Sequence, residues 1–183
     1  MIGIVAASGA GAAPAFELIS TAYGTGSSST ITLSSIPADY KHLQIRGVAR
    51  SGTQYGSTAM YMRLNGATSG YAWHELYGDG SSVASSSGTA DTKINVGTIP
   101  SVNGTAGAVG AFVIDILDYA STSKNKTVRT FYGVTDSANS NTTVALRSGF
   151  LTSTSAVSSV SFIANSSLPF TSLTRISIYG IKG

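Results

Sequence analysis

The chain has 183 residues, of which only 10% are charged and 42% are hydrophobic, with a formal net charge of +3 at pH 7. Disordered chains usually combine low hydrophobicity with high net charge, so this composition predicts a folded protein. The chain contains no cysteine, which excludes a disulfide scaffold, a thiolate nucleophile and any metal site built on cysteine. A chain of this length fits one domain that buries a core without such support.

The eleven Lys and Arg residues are scattered along the sequence and form no basic run. Nucleic-acid binding normally requires clustered positive charge with interleaved aromatic residues, so no nucleic-acid partner is predicted. The pattern favours single charges on exposed strand faces, which keep a protein soluble.

Residues 1–16 carry no charge and mix small and apolar residues with Gly and Pro. They lack the basic start of a signal peptide and the roughly twenty consecutive apolar residues of a membrane span, so no membrane partner is predicted. A frayed terminus is the structural alternative, although frayed ends are usually polar. We interpret this segment as an extended apolar arm that docks on a partner. Its candidate contact residues are Ile2, Ile4, Val5 and Phe16.

The rest of the chain alternates polar and apolar residues in short stretches separated by Gly, Ser, Asn and Asp clusters, as strands and turns do. The predicted strands, in chain order, span residues 16–21, 29–33, 42–50, 59–65, 71–77, 93–97, 108–119, 126–135, 142–150, 157–163 and 173–181. The first two are expected to pair as a hairpin. The Ser- and Gly-rich segment 78–89 is expected to be a mobile loop.

No segment shows helical periodicity over ten residues, which argues against a fold with crossover helices. The spacing predicts an all-β fold: one antiparallel β-sandwich domain over residues 17–183, of the jelly-roll type, preceded by the arm. The apolar stretch 108–119 is predicted to be a central strand. The last strand ends within two residues of Gly183, so its deletion should unfold the domain.

Few side chains are available for catalysis. His42 and His74 are the only histidines, and His74 and Glu75 should point to opposite faces because they are neighbours in a strand. Paired carboxylates for glycoside cleavage are the alternative, but aspartates more often cap turns. The carboxylates in question are Glu75, Asp79, Asp115 and Asp118. We therefore predict no enzymatic activity, no cofactor and no metal site.

The first half of the sequence contains a dense aromatic group. Its members are Tyr40, Tyr55, Tyr61, Tyr71, Trp73 and Tyr77. Such a group can line a sugar-binding face or a protein interface, but packing in the core is the favoured interpretation.

Four sequence blocks, in this order, resemble one family of proteins. They are SSIPADYKHLQIRGVARS at 34–51, MYMRLNG at 60–66, the pair Asp118-Tyr119 followed by Lys126, and SLTRISIYGIKG at 172–183. The chain thereby resembles virion structural proteins of tailed bacteriophages. The resemblance implies a small β-sandwich component of a capsid or tail that forms a homotrimer and carries no catalytic residues.

Two roles in a virion are open. A capsid cement or decoration protein would bind the major capsid protein at the capsid surface through the arm and one face of the sandwich, and so stabilise the shell. A tail-fibre or receptor-binding module would instead hold host-surface glycan with its loops and aromatic residues. Because the sequence has no heptad or fibrous repeat that would form a shaft, the cement role is favoured.

Overall fold

The computed structural model describes residues 15–52, 56–139 and 141–183, which contain twelve strands and two 3-10 turns. The strands are β1 (Phe16–Tyr23), β2 (Thr30–Leu33), β3 (His42–Ala49), β4 (Ser57–Leu64), β5 (Tyr71–Gly78), β6 (Val83–Asp91), β7 (Ile94–Pro100), β8 (Gly110–Leu117), β9 (Lys126–Asp136), β10 (Asn141–Leu151), β11 (Val160–Ala164) and β12 (Arg175–Ile181). The 3-10 turns are Ser137–Asn139 and Asn165–Ser167.

The strands form two antiparallel sheets that pack face to face. The larger sheet has eight strands in the order β1-β12-β3-β8-β9-β10-β5-β6, and the smaller has four in the order β2-β11-β4-β7. Strand β8 is the fourth of the eight, so the prediction of a central strand there is confirmed. The predicted all-β sandwich is confirmed as well.

Eight of the strands follow a jelly-roll path. They behave as one long hairpin in which β1 pairs with β12, β2 with β11, β3 with β8 and β4 with β7. These four pairs alternate between the two sheets, which is how a rolled hairpin produces a jelly roll.

The other four strands widen the larger sheet. Strands β5 and β6 are inserted between β4 and β7, strands β9 and β10 between β8 and β11, and together they form the run β9-β10-β5-β6 beyond β8. We call this run the extension. Strand β7, the edge of the smaller sheet, packs on β9, β10 and β5. One face of the extension therefore meets β7, and we call the opposite face its outer face.

Alternation along the strands accounts for the core. In β3, the side chains of Leu43 and Ile45 are fully buried, and in β4 those of Met60, Met62 and Leu64 are. In each strand these residues share one face, because successive side chains of a strand point to opposite faces.

Two predictions about local structure are wrong. Strands β1 and β2 do not form a hairpin: β1 pairs with β12 and β2 with β11, in different sheets. The segment 78–89 is not a loop, because β6 starts at Val83 after a tight turn and pairs with β5. Strand β6 lies at the edge of the sheet, where backbone hydrogen bonds hold it and its serine side chains need not be buried.

The basic residues also depart from prediction, since three of the eleven are buried rather than exposed. Arg50 and Lys126 donate hydrogen bonds to backbone carbonyls of neighbouring loops, and Arg147 pairs with Glu75. A buried cation is tolerated when carbonyls or a carboxylate replace the water it loses. These three side chains therefore serve the fold.

Candidate protein interface

The outer face of the extension exposes large apolar side chains. Those more than half exposed are Leu76 (54%), Val83 (77%), Phe131 (53%), Val144 (51%) and Leu146 (58%). We call these five residues the apolar face. Contiguous exposed apolar surface on a folded domain is typical of a site of interaction.

Strand register makes the apolar face continuous. Leu146 of β10 lies opposite Phe131 of β9 on one side and opposite Leu76 of β5 on the other. Residues directly opposite in an antiparallel pair are about 5 Å apart, so the three side chains form one row. Val83 and Val144 flank Gly78 in the next row, and a depression of about 340 Å³ lies among the apolar side chains.

Polar residues border this surface. Arg129 and Asp115 form a partly exposed ion pair at 3.5 Å, and His74 and Ser148 lie opposite each other in the adjacent row. An apolar centre with a polar rim is the composition of a protein–protein contact.

Strand β10 shows why the apolar face was missed in the sequence. One alternating set in this strand holds Val144, Leu146 and Phe150, and the other holds Ala145, Arg147, Gly149 and Leu151. A strand normally buries its more apolar set, but here three large apolar side chains of the first set are exposed, and the second set, which includes Arg147 and Gly149, is buried. We call this reversed arrangement the inverted strand.

Packing against β7 restricts the buried set of β10 at Gly149. A Cβ atom on Gly149 would lie 2.7 Å from Cγ2 of Ile94 in β7, closer than carbon atoms approach in folded proteins. The inner side of β10 therefore has no room for a larger side chain at this position. Alternation in the sequence was the available signal, but it identified two faces without saying which one meets β7.

Of the four candidate contact residues of the arm, the structure describes Phe16. Ile2, Ile4 and Val5 lie outside the described residues. Phe16, predicted as the last residue of the arm, is the first residue of β1, and its ring stacks on Tyr179 with centroids 4.7 Å apart. The ring remains 38% exposed at the edge of the larger sheet, so it stays available to a partner.

The carboxylates considered for glycoside cleavage have structural partners. Glu75 pairs with Arg147 at 2.5 Å, and it is buried while His74 is exposed, so the prediction of opposite faces is confirmed. Asp79 caps the turn between β5 and β6, where hydrogen bonds from backbone N–H groups lower its pKa. Asp115 accepts a hydrogen bond from Gln44. Among the described residues, no His, Asp and Glu side chains cluster as metal ligands would.

The residues of the Asp118-Tyr119 and Lys126 block hold a corner of the fold. Tyr119 is fully buried and its hydroxyl donates to the carbonyl of Pro37. Lys126 is fully buried too, and its ammonium donates to the carbonyl of Ser121 at 2.5 Å. Desolvation by burial lowers the pKa of Lys126. This block therefore has a structural role.

Asp118 follows β8 in a left-handed backbone conformation, with φ of 48°. Its carboxylate forms ion pairs with Lys124 at 2.5 Å and with Lys41 at 3.1 Å. The hydrogen bonds from Lys124 and then Lys41 lower the pKa of Asp118 from 3.8 to about 2.

Replacing this carboxyl, Asp118→Asn, should remove part of the pH dependence of stability. A carboxyl with a lowered folded pKa stabilises the fold above its unfolded pKa, and that contribution is lost as pH falls from about 4 through about 2. Asn tolerates the left-handed conformation. In urea unfolding, the variant should be less stable than the wild type at pH 6, and the difference should shrink toward pH 2. A difference that is equal at both pH values would contradict this.

Comparison of the chain with protein-family models, with curated proteins and with solved structures finds no match. Among the described residues, no helix is both long and apolar enough to cross a bilayer. The fold and its exposed faces are therefore the observations from which a function can be argued.

Proposed function

We propose that this protein is a structural component of a bacteriophage particle, a cement or decoration protein that binds the major capsid protein at the capsid surface. The inverted strand is the observation that carries the proposal. It presents Val144, Leu146 and Phe150 to the outside, and Leu146 there lies beside the exposed Leu76 of β5 and Phe131 of β9. A protein that worked without partners would lose stability by such an arrangement, because exposed apolar surface is unfavourable in water.

The proposed contact has two parts. The apolar face supplies exposed apolar side chains on one side of the sandwich, and the arm supplies Ile2, Ile4 and Val5. Two linked contacts bind far more tightly than either one alone when both can engage together. A cement protein that bridges neighbouring capsid subunits would use the two parts in this way, and it needs no catalytic residues.

The proposal includes that the protein forms a homotrimer. The apolar face is suited either to the shell or to another copy, and the two uses are separable by experiment. Light scattering on the purified protein, whose chain mass is 18.6 kDa, measures the number of copies directly.

Charge placed on the apolar face should weaken binding to the shell. Phe131→Asp and Leu146→Asp each bury a carboxylate in the proposed contact, so we expect binding to purified shells of the parent phage to fall at least about tenfold. The measurement is co-sedimentation with shells. Thr135→Asp and Thr142→Asp are the matched controls. They add the same charge on the same strands and on the same exposed face, four residues along each strand from Phe131 and Leu146.

These variants distinguish binding of the apolar face to the shell from contact between copies of this chain. Equal shell binding by the Phe131→Asp and Thr135→Asp variants would contradict the proposed contact. If Phe131→Asp instead converts a trimer to a monomer and leaves shell binding unchanged, the apolar face is the contact between copies of this chain.

Removal of residues 1–14 should leave a folded domain that no longer stays on the shell. Ala15 is retained because its carbonyl accepts a hydrogen bond from the Lys182 N–H. Circular dichroism should show an unchanged thermal transition, while co-sedimentation should be lost. Shell binding equal to that of the full chain would remove the arm from the proposal.

A further inference from the structure

The inner face of the extension contains a cavity that the docking proposal does not use. It measures about 270 Å³ and opens between β5, β6 and β10 on one side and β7 on the other. The side chains that line it include Trp73, Glu75, Tyr77, Tyr132, Thr143 and Arg147. This volume suits a ligand of one ring, because sites for larger drug-sized molecules usually exceed about 300 Å³.

Arg147 is held rigidly in this cavity. Its Nη2 donates to Glu75 Oε2 at 2.5 Å, and the hydroxyl of Tyr132 donates to Glu75 Oε1 at 3.0 Å. The guanidinium also lies over two rings, 5.3 Å from the centroid of Trp73 and 5.1 Å from that of Tyr132. A guanidinium fixed on three sides keeps its remaining N–H groups aimed in set directions.

Those remaining donors have no acceptor. The side chain of Arg147 is only 5% exposed, yet none of the described residues accepts a hydrogen bond from its Nε or Nη1. Buried donors without acceptors are costly, and they are rare in native proteins. A ligand in the cavity that Arg147 lines could satisfy these donors if it carries oxygen acceptors.

The charge of the site selects among oxygen ligands. Glu75 lies beside Arg147 and offsets its positive charge, so a sulfate, phosphate or carboxylate would meet a carboxylate at close range. A hydroxyl group avoids this repulsion, because it accepts a hydrogen bond from Arg147 and can donate one to Glu75. Two adjacent hydroxyls on a ring match such a donor–acceptor pair.

The walls of the cavity suit the same ligand. Trp73 and Tyr77 are half-buried, and they present aromatic surface beside the polar pair. A pyranose ring has hydroxyls at its edge and C–H groups on its faces, so it can hydrogen-bond to one wall and pack on the other. Trp73 is held in place by a hydrogen bond from its indole N–H to Asp91 at 2.7 Å.

We propose that this cavity binds one neutral sugar ring, with Arg147 and Glu75 holding two adjacent hydroxyls and Trp73 and Tyr77 packing against the ring. The site lies on the opposite face of the extension from the apolar face. Its test therefore does not depend on the docking proposal.

The experiment uses the fluorescence of Trp73, the only tryptophan in the chain. The full-length protein is titrated with methyl glycosides of glucose, mannose and galactose, and separately with glucuronate and sodium sulfate. A ligand of this size reaches a Kd of about 1 mM at ordinary ligand efficiency, so titration extends to about 100 mM. We expect a saturable change in Trp73 emission with at least one neutral glycoside and none with the anions.

Two variants and one control test the assignment. Tyr77→Ala removes one wall and should weaken sugar binding by about tenfold. The double variant Glu75→Leu/Arg147→Met removes the polar pair together, so that no charge is left buried alone, and should abolish binding while the protein stays folded. Tyr23→Ala is the matched control, because Tyr23 is an exposed tyrosine of β1 at the far edge of the sheet.

Three results would overturn the proposal. The first is no saturable change with any neutral glycoside over the full titration. The second is a response to glucuronate or sulfate alone, which would make this an anion site. The third is unchanged sugar binding by the folded double variant, which would place the sugar elsewhere and leave Arg147 and Glu75 a purely structural pair.

Discussion

Glu75→Leu should lower the free energy of unfolding by about 3–5 kcal/mol, because it leaves the buried guanidinium of Arg147 without its counter-charge. Both side chains are almost fully buried, at 6% and 5% exposure. Arg147→Met should cost a similar amount by leaving the carboxylate of Glu75 alone. The measurement is urea unfolding at neutral pH, followed by circular dichroism.

The double variant Glu75→Leu/Arg147→Met should recover most of this loss. Replacing a buried ion pair with apolar residues of similar size is often close to neutral, because the desolvation of both charges disappears with their attraction. The control is Asp115→Asn, which breaks an ion pair on the same sheet whose Arg129 is 62% exposed and should cost at most about 1 kcal/mol. Additive losses in the double variant would show that the two charges are not coupled.

Deletion of residues 175–183 should unfold the whole domain. Strand β12 is paired on both sides, with β1 and with β3, and its Ile176 and Ile178 are fully buried. Without it, β1 loses β12, the strand with which it pairs in the larger sheet, and the core is opened along one side. Circular dichroism should show no cooperative thermal transition.

Graded variants separate packing from pairing at β12. Ile178→Ala keeps all backbone pairing and should cost about 2–5 kcal/mol, as large-to-small changes in a core do. Deletion of residues 182–183 alone removes residues that follow the last strand and should leave the cooperative transition in place. A cooperative transition in the protein that lacks 175–183 would contradict the assignment of β12 as a closing strand.

Local patterning predicted several elements well. The alternation of Leu43 and Ile45 in β3, and of Met60 and Met62 in β4, identified the strands and the residues that share a face. This worked because each strand has one face in the core, so burial follows the two-residue period directly. Strand β6 was not predicted because its serines show no alternation of polar and apolar residues. An edge strand needs no such alternation, since backbone hydrogen bonds alone can hold it.

The candidate sites were less visible. Trp73 and Tyr77 were singled out as members of an aromatic group, with core packing as the favoured interpretation, but nothing in the sequence connected them with Arg147. Arg147 and Glu75 lie opposite each other in β10 and β5, 72 residues apart in the chain. Their pairing requires the insertion β5–β6 to meet the insertion β9–β10, and no local pattern encodes that meeting.

By itself, the sequence determined that the protein is an all-β sandwich with a nearly complete set of strands and two distinct faces on most of them. Only the tertiary structure decided which strands pair and which face of each is buried. Strand β1 pairs with the last strand, β12, rather than with β2. The inner side of β10 has room for Gly149 but not for a larger side chain at this position. The physical reason is that alternation records two faces of a strand, whereas the neighbour that each face meets is set by contacts distant in the chain.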